Sequence, residues 1–194
     1  MLLTKKEVRL EAKRRVSLIK DRAVQSEKMA VNVLQLLSDL KKEQKIEQPL
    51  RVGLFLSMPT EINTAPLIQA LQNSDEYLVL VPRAEEDCTM HFFVYSKSAP
   101  HKISKYGIWE PTDPVAKSMV PNVMLVPGLA FDLYGGRVGH GKGYYDYYFD
   151  KYRDQIAYKI ALAYDSQIFD RVPMDTYDKY MDGIATDERK LIFV

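Results

Sequence analysis

The segment GGRVGHGKGYYDYYFD, residues 135–150, gathers five glycines, an arginine, a lysine, a histidine and four tyrosines. Glycine permits positive φ and close backbone approach. The tyrosine run begins a helix, so the loop ends at amides with no intrahelical partner. Gly139, Gly141 and Gly143 can turn those amides toward phosphate oxygens, with Arg137 and Lys142 supplying charge. Asp146, in the first turn, is the oxygen ligand type that Mg²⁺ takes beside a phosphate, and it also suits a helix amino terminus on electrostatic grounds. Gly136, Gly141 and Lys142 match the phosphate-loop spacing, but Gly143 stands where that loop needs Ser or Thr, and the dinucleotide fingerprint fails at its third glycine. The competing reading is a tight surface loop stiffened by tyrosines.

Two further stretches carry candidate chemistry. SMPTE, 57–61, leaves a predicted strand and places Glu61 at the same sheet edge, either as a ligand contact or as helix-entry chemistry. YGIWEP, 106–111, offers Tyr106 and Trp109 to stack on a flat heterocycle, or else plugs a loop. His91, His101 and His140 lack the i, i+4 spacing of a zinc site, so no transition metal is expected. No Gly-x-Ser-x-Gly elbow occurs, and the single cysteine, Cys88, reads as a small loop or core residue, so no covalent nucleophile is indicated.

These residues need a scaffold. At 194 residues the chain suits one domain spanning 1–194. Residues 4–45 lack glycine and proline and carry apolar residues at helical intervals, predicting two helices broken near Ser26, which would cap the second. From Leu50 the pattern changes to short apolar runs, RVGLFLS, YLVLVP, MHFFVY, NVMLVPG, YKIALAYD and LIFV, with TAPLIQALQ as a helix entered through Thr64 and Pro66. Strands buried on both faces with room for crossover helices imply an α/β, three-layer fold with a mostly parallel sheet, preceded by amino-terminal helices. Ligands in such sheets lie beyond the carboxyl ends of strands, where the glycine stretch falls.

Composition narrows the partners. The net charge of +1 suggests no nucleic acid, and no apolar run approaches the roughly 18 residues of a membrane span. Glu7 and Glu11 interrupt the basic start KKEVRLEAKRR, which makes cytoplasm the default and leaves mitochondrial import open.

The stretch PGLAFDLYGGRVGHGKGYYD resembles the signature of the 5-formyltetrahydrofolate cyclo-ligases, also called 5,10-methenyltetrahydrofolate synthetases. The amino-terminal basic pair Lys5 and Arg9, SMPTE, VPR at 81–83, GIWEP at 107–111 and MDGIATDE resemble other parts of the family in the same order. The resemblance implies an enzyme that converts 5-formyltetrahydrofolate and MgATP to 5,10-methenyltetrahydrofolate, ADP and phosphate; the chain is expected to act as a monomer. The formyl oxygen would attack the γ-phosphate, and a neighbouring aniline nitrogen would then close the ring. It further implies that Lys5, Arg9, Arg137, Val138, Gly139, His140, Gly141, Lys142, Gly143, Tyr144 and Tyr145 bind ATP, with Arg137 and Lys142 catalytic. Leu56, Glu61, Tyr106, Trp109 and the run His140 to Tyr144 would border the folate, and Asp146 and Asp182 would hold Mg²⁺. His140 stands where other members carry Arg or another residue, and Tyr147 where many bacterial members carry a basic one. A small-molecule kinase and a non-catalytic reduced-folate-binding module are the alternative readings.

Overall fold

The alternation of apolar residues along each strand sends side chains to both faces of one sheet. The structure is a computed structural model describing residues 3–43, 49–85, 89–98, 101–103, 109–112 and 117–193. Its strands are β1 (Leu50–Gly53), β2 (Tyr77–Ala84), β3 (Met90–Val94), β4 (His101–Ile103), β5 (Trp109–Pro111), β6 (Val123–Val126), β7 (Ala130–Phe131), β8 (Arg137–Val138), β9 (Tyr158–Leu162), β10 (Gly183–Ala185) and β11 (Lys190–Ile192). Seven of them form a sheet in the order β11-β10-β9-β6-β1-β2-β3. The interior is parallel from β2 to β10, and β3 and β11 close the two edges antiparallel. The pairs β4–β5 and β7–β8 are separate hairpins. These hairpins and β10 escape the sequence reading because their strands are only two or three residues long.

The helices are α1 (Lys5–Ser17), α2 (Arg22–Glu43), α3 (Ala65–Gln72) and α4 (Tyr144–Tyr152). Val79, Val123, Leu125, Ile160 and Leu162 meet α2 and α3 on one face of the sheet. Their sequence neighbours Leu80, Met124, Val126 and Ala161 meet Tyr148 and Phe149 of α4 on the other. The result is the expected three-layer α/β fold with a mostly parallel sheet.

α1 opens with a capping box between Thr4 and Glu7. The expectation that Ser26 caps the second helix is corrected: the Gln25 amide already donates to the Asp21 carbonyl, so the helix begins a turn earlier. Ser26 is buried inside α2, and its hydroxyl donates to the Arg22 carbonyl. Thr64 and Pro66 do begin α3, but the Thr64 hydroxyl donates to the Phe55 carbonyl at 2.8 Å instead of capping.

The connection β1–α3–β2 winds to one side of β1, and β6–α4–β9 winds to the other on the opposite face. The chain therefore reverses direction between β1 and β6, the topological switch point where a crevice opens beyond the strand ends. α1 packs apart from the sheet, placing Val8 and Ala12 against Leu129, Ala130, Val138, Phe169 and Val172. Arg15 fastens it there, with its guanidinium 4.0 Å from the Phe169 ring centre and one nitrogen donating to the Ile168 carbonyl at 3.0 Å.

Candidate active site

A cleft of about 620 Å³ occupies that switch point. Phe55, Leu56 and Met58 enter it from the segment after β1, Pro127 from the end of β6, and Pro82 and Ala84 from β2. The glycine loop forms the facing wall. The segment after β1 is held by its own short hydrogen bonds. Ser57 donates to the Ile62 carbonyl at 2.7 Å and accepts from the Thr64 amide at 2.8 Å, while Glu61 accepts from the Met58 amide at 2.9 Å.

The opposite wall begins at the β7–β8 turn. Asp132, 3% exposed, accepts from the amides of Tyr134, Gly136 and Val172 at 2.8–2.9 Å. Gly135 has φ of +86°, which lets the chain reverse there. After β8, Gly141 and Gly143 take φ of +94° and +75°, and Gly143 is the N-cap residue of α4. That end of α4 carries no side-chain cap, so its amides face the loop unsatisfied by a side chain.

Four cations line this wall. Arg137 is almost fully buried; it donates to Asp146 at 2.9 Å, and its Nε has no hydrogen-bond partner among the described residues. Arg9, from α1, donates to the Gly139 carbonyl at 2.9 Å and lies against Gly141, where a Cβ would come within 3.2 Å of its guanidinium. Lys5 pairs with Asp175, at 2.7 Å, and with Asp178. Burial works to lower the Lys5 pKa, but the hydrogen bonds and charges of the two aspartates outweigh it and hold the ammonium above its ordinary value. Lys142 is exposed and, among the described residues, has no ion-pair or hydrogen-bond partner.

Across the cleft His140 Nε2 lies 3.6 Å from Glu61 Oε1, whose side chain is only 9% exposed. Tyr144 donates to the Glu85 carbonyl at 3.1 Å. Burial raises the Tyr145 pKa, with the Glu61 charge adding to it and Arg137 partly opposing, so this phenol stays protonated beside the charges.

The fold thus brings Lys5, Arg9, Leu56, Glu61, Asp146 and the loop from Arg137 to Tyr145 into one cleft. Tyr106 lies outside the described residues. Trp109 has its backbone in β5, and its side chain lies outside the described part.

Asp182 requires correction. It sits just before β10, at the opposite end of the sheet from the cleft, where it accepts from the Lys159 amide at 2.7 Å and ammonium at 2.8 Å. The carboxylates that do line the cleft alongside Asp146 and Glu61 are Asp175 and Asp178. The Lys179 amide donates to Asp146 at 3.1 Å, which ties the segment that carries Asp178 to the first turn of α4. Two acids three residues apart in MDTYDKY were the available sequence signal. Among the described residues, no group of three or more His, Cys, Asp or Glu is arranged to hold a metal alone. The donor set suits Mg²⁺, which takes one or two carboxylates together with phosphate oxygens.

The chain is also similar to known proteins. The family model described as 5-formyltetrahydrofolate cyclo-ligase family matches residues 4–187. A Schizosaccharomyces pombe protein named probable 5-formyltetrahydrofolate cyclo-ligase is 32% identical over 154 residues, covering 71% of this chain and 75% of its own. The 5-formyltetrahydrofolate cyclo-ligase of Haemophilus influenzae is 33% identical over 137 residues, covering 68% and 72%. The solved structure of Aquifex aeolicus 5,10-methenyltetrahydrofolate synthetase matches with a TM-score of 0.74 at 27% identity, across 98% of this chain and 93% of that one. A family match running from Thr4 to Asp187, joined to a shared fold across nearly the whole chain, makes this protein a member of the 5-formyltetrahydrofolate cyclo-ligase family.

Proposed function

We propose that this chain converts 5-formyltetrahydrofolate and MgATP into 5,10-methenyltetrahydrofolate, ADP and phosphate. The observation that carries the reading is Lys142, exposed and, among the described residues, unpaired on a positive-φ glycine loop at the start of α4, in a cleft it shares with an apolar floor and Glu61. A helix amino terminus with turned glycines receives phosphate oxygens, and the apolar floor receives a flat heterocycle.

Lys142 and Arg9 bind and orient the triphosphate, while Arg137, fixed by Asp146, presents a buried charge to it. Leu56 packs on the folate, and Glu61 accepts a hydrogen bond from it. The formyl oxygen is thereby held in line with the γ-phosphorus, takes the phosphoryl group and releases ADP. The neighbouring aniline nitrogen then adds to the activated carbon and loses its proton, and phosphate departs with the oxygen. No protein nucleophile is needed. Mg²⁺ would neutralise phosphate charge, and Asp146 and Asp178 are the carboxylates that would hold it. We read residues 1–194 as one domain acting as a cytoplasmic monomer. Among the described residues no helix is long and apolar enough to cross a membrane.

The test follows the absorbance of the methenyl product when purified protein meets 5-formyltetrahydrofolate and MgATP. An ATP-dependent rise with stoichiometric phosphate is expected. A stable phosphorylated product would favour a kinase instead, and folate binding without turnover would leave a binding module.

A further inference from the structure

The cleft wall is made of two separate pieces of chain. One is the glycine loop, which carries Arg137 and Lys142; the other is the strap 172–179, which carries Asp175 and Asp178 and whose Lys179 amide binds Asp146. The strap has no helix or strand of its own to fix its position. Asp132 lies at the root of both. Its Oδ1 accepts from Tyr134 and Gly136 and shapes the turn into β8, and its Oδ2 accepts from Val172, the first residue of the strap. A second, weaker pin lies beside it, where the Arg137 amide donates to Met174 Sδ at 3.3 Å.

We propose that Asp132 is a positioning residue that joins the glycine loop to the 172–179 strap at the spacing a metal-bound triphosphate needs. Resting on the nucleotide reading above, this gives a role to a carboxylate that touches no ligand. Three amides on one buried carboxylate satisfy both of its oxygens, which suits a joint between chain segments. The two sides it joins hold opposite halves of the site: loop cations on one, strap carboxylates on the other. A shift between them separates Asp146 from Asp178 while leaving the folate floor, which hangs from β1 and β6, in place.

Asp132→Asn divides these functions. Asparagine keeps one acceptor oxygen for Tyr134 and Gly136 but turns an amide donor toward the Val172 N–H, so the turn survives and the strap loses its pin. The experiment measures MgATP affinity by calorimetry and, separately, kcat and both KM values, for parent and variant. The expected result is MgATP binding weakened about tenfold or more and kcat reduced, with the folate KM within about twofold. A folded Asp132→Asn with unchanged MgATP affinity overturns the proposal, and so does equal loss for both ligands, the mark of a general structural role.

If that variant fails to fold, Met174→Leu decides. It conserves volume while removing the sulfur acceptor, and should weaken MgATP a few-fold with folate unchanged; no change overturns the proposal. A parent chain that binds MgATP but leaves 5-formyltetrahydrofolate unconverted refutes the reaction alone, and the affinity ratio still judges Asp132. A parent that binds no MgATP overturns both.

Discussion

Leu37 and Val8 are both fully buried, yet they belong to different kinds of core. Leu37 sits among α2, α3 and the central strands, one of the two clusters that sandwich the sheet. Val8 belongs to a small satellite in which α1 meets the β7–β8 hairpin and the chain around Phe169 and Val172. The sheet side contributes the apolar floor of the cleft and Glu61; the satellite side contributes Lys5, Arg9 and the root of the glycine loop. Bulk stability and the proposed phosphate site thus rest on different cores, so the two should respond separately to mutation.

The largest expected effect on stability comes from Leu37→Ala, which should cost about 2–5 kcal/mol in urea unfolding while each folded molecule keeps its turnover. If turnover per folded molecule fell as well, the separation would fail. Lys142→Met reverses the pattern. It should cut kcat about 100-fold with the unfolding free energy within about 0.5 kcal/mol of the parent. Val8→Ala tests the satellite itself: a loss of about 1.5 kcal/mol is expected, with the MgATP KM raised and the folate KM steady.

The smallest effect concerns Lys5. Its folded pKa is raised, so its contribution is complete below its unfolded value and is lost as pH rises through the higher folded one. Lys5→Met should therefore lower stability by at most about 1 kcal/mol at neutral pH. Urea midpoints of parent and variant should converge above the ordinary lysine pKa of 10.5.

The same division explains what could be read in advance. The sheet was legible because Val123 to Val126 and Ile160 to Leu162 announce themselves as continuous apolar runs, and burial on both faces follows from that pattern alone. The glycine loop was legible because positive φ demands glycine at positions 141 and 143. The choice between Asp178 and Asp182 was not. They differ by four residues in sequence, and only the pairing of β10 with β9 carries one to Lys159 while the strap carries the other to Lys5. Asp132 was equally silent, because its partners include Val172, forty positions away. Ser26 misled because a residue fit to cap a helix is also fit to back-bond inside one.

The clasp between α1 and the strap also bears on how the protein is made. Arg15 reaches Ile168 across 153 positions, and Lys5 reaches Asp178 across 173. During synthesis at about 5–20 residues per second, α1 leaves the ribosome many seconds before the segment it must hold. Its apolar stripe waits without a partner while the sheet assembles between them. Closing so long a loop is slow, so the docking of α1 should be among the last events of folding. Until then the nascent chain has the apolar floor of the cleft but no complete facing wall, and the proposed reaction would have to await a nearly finished molecule.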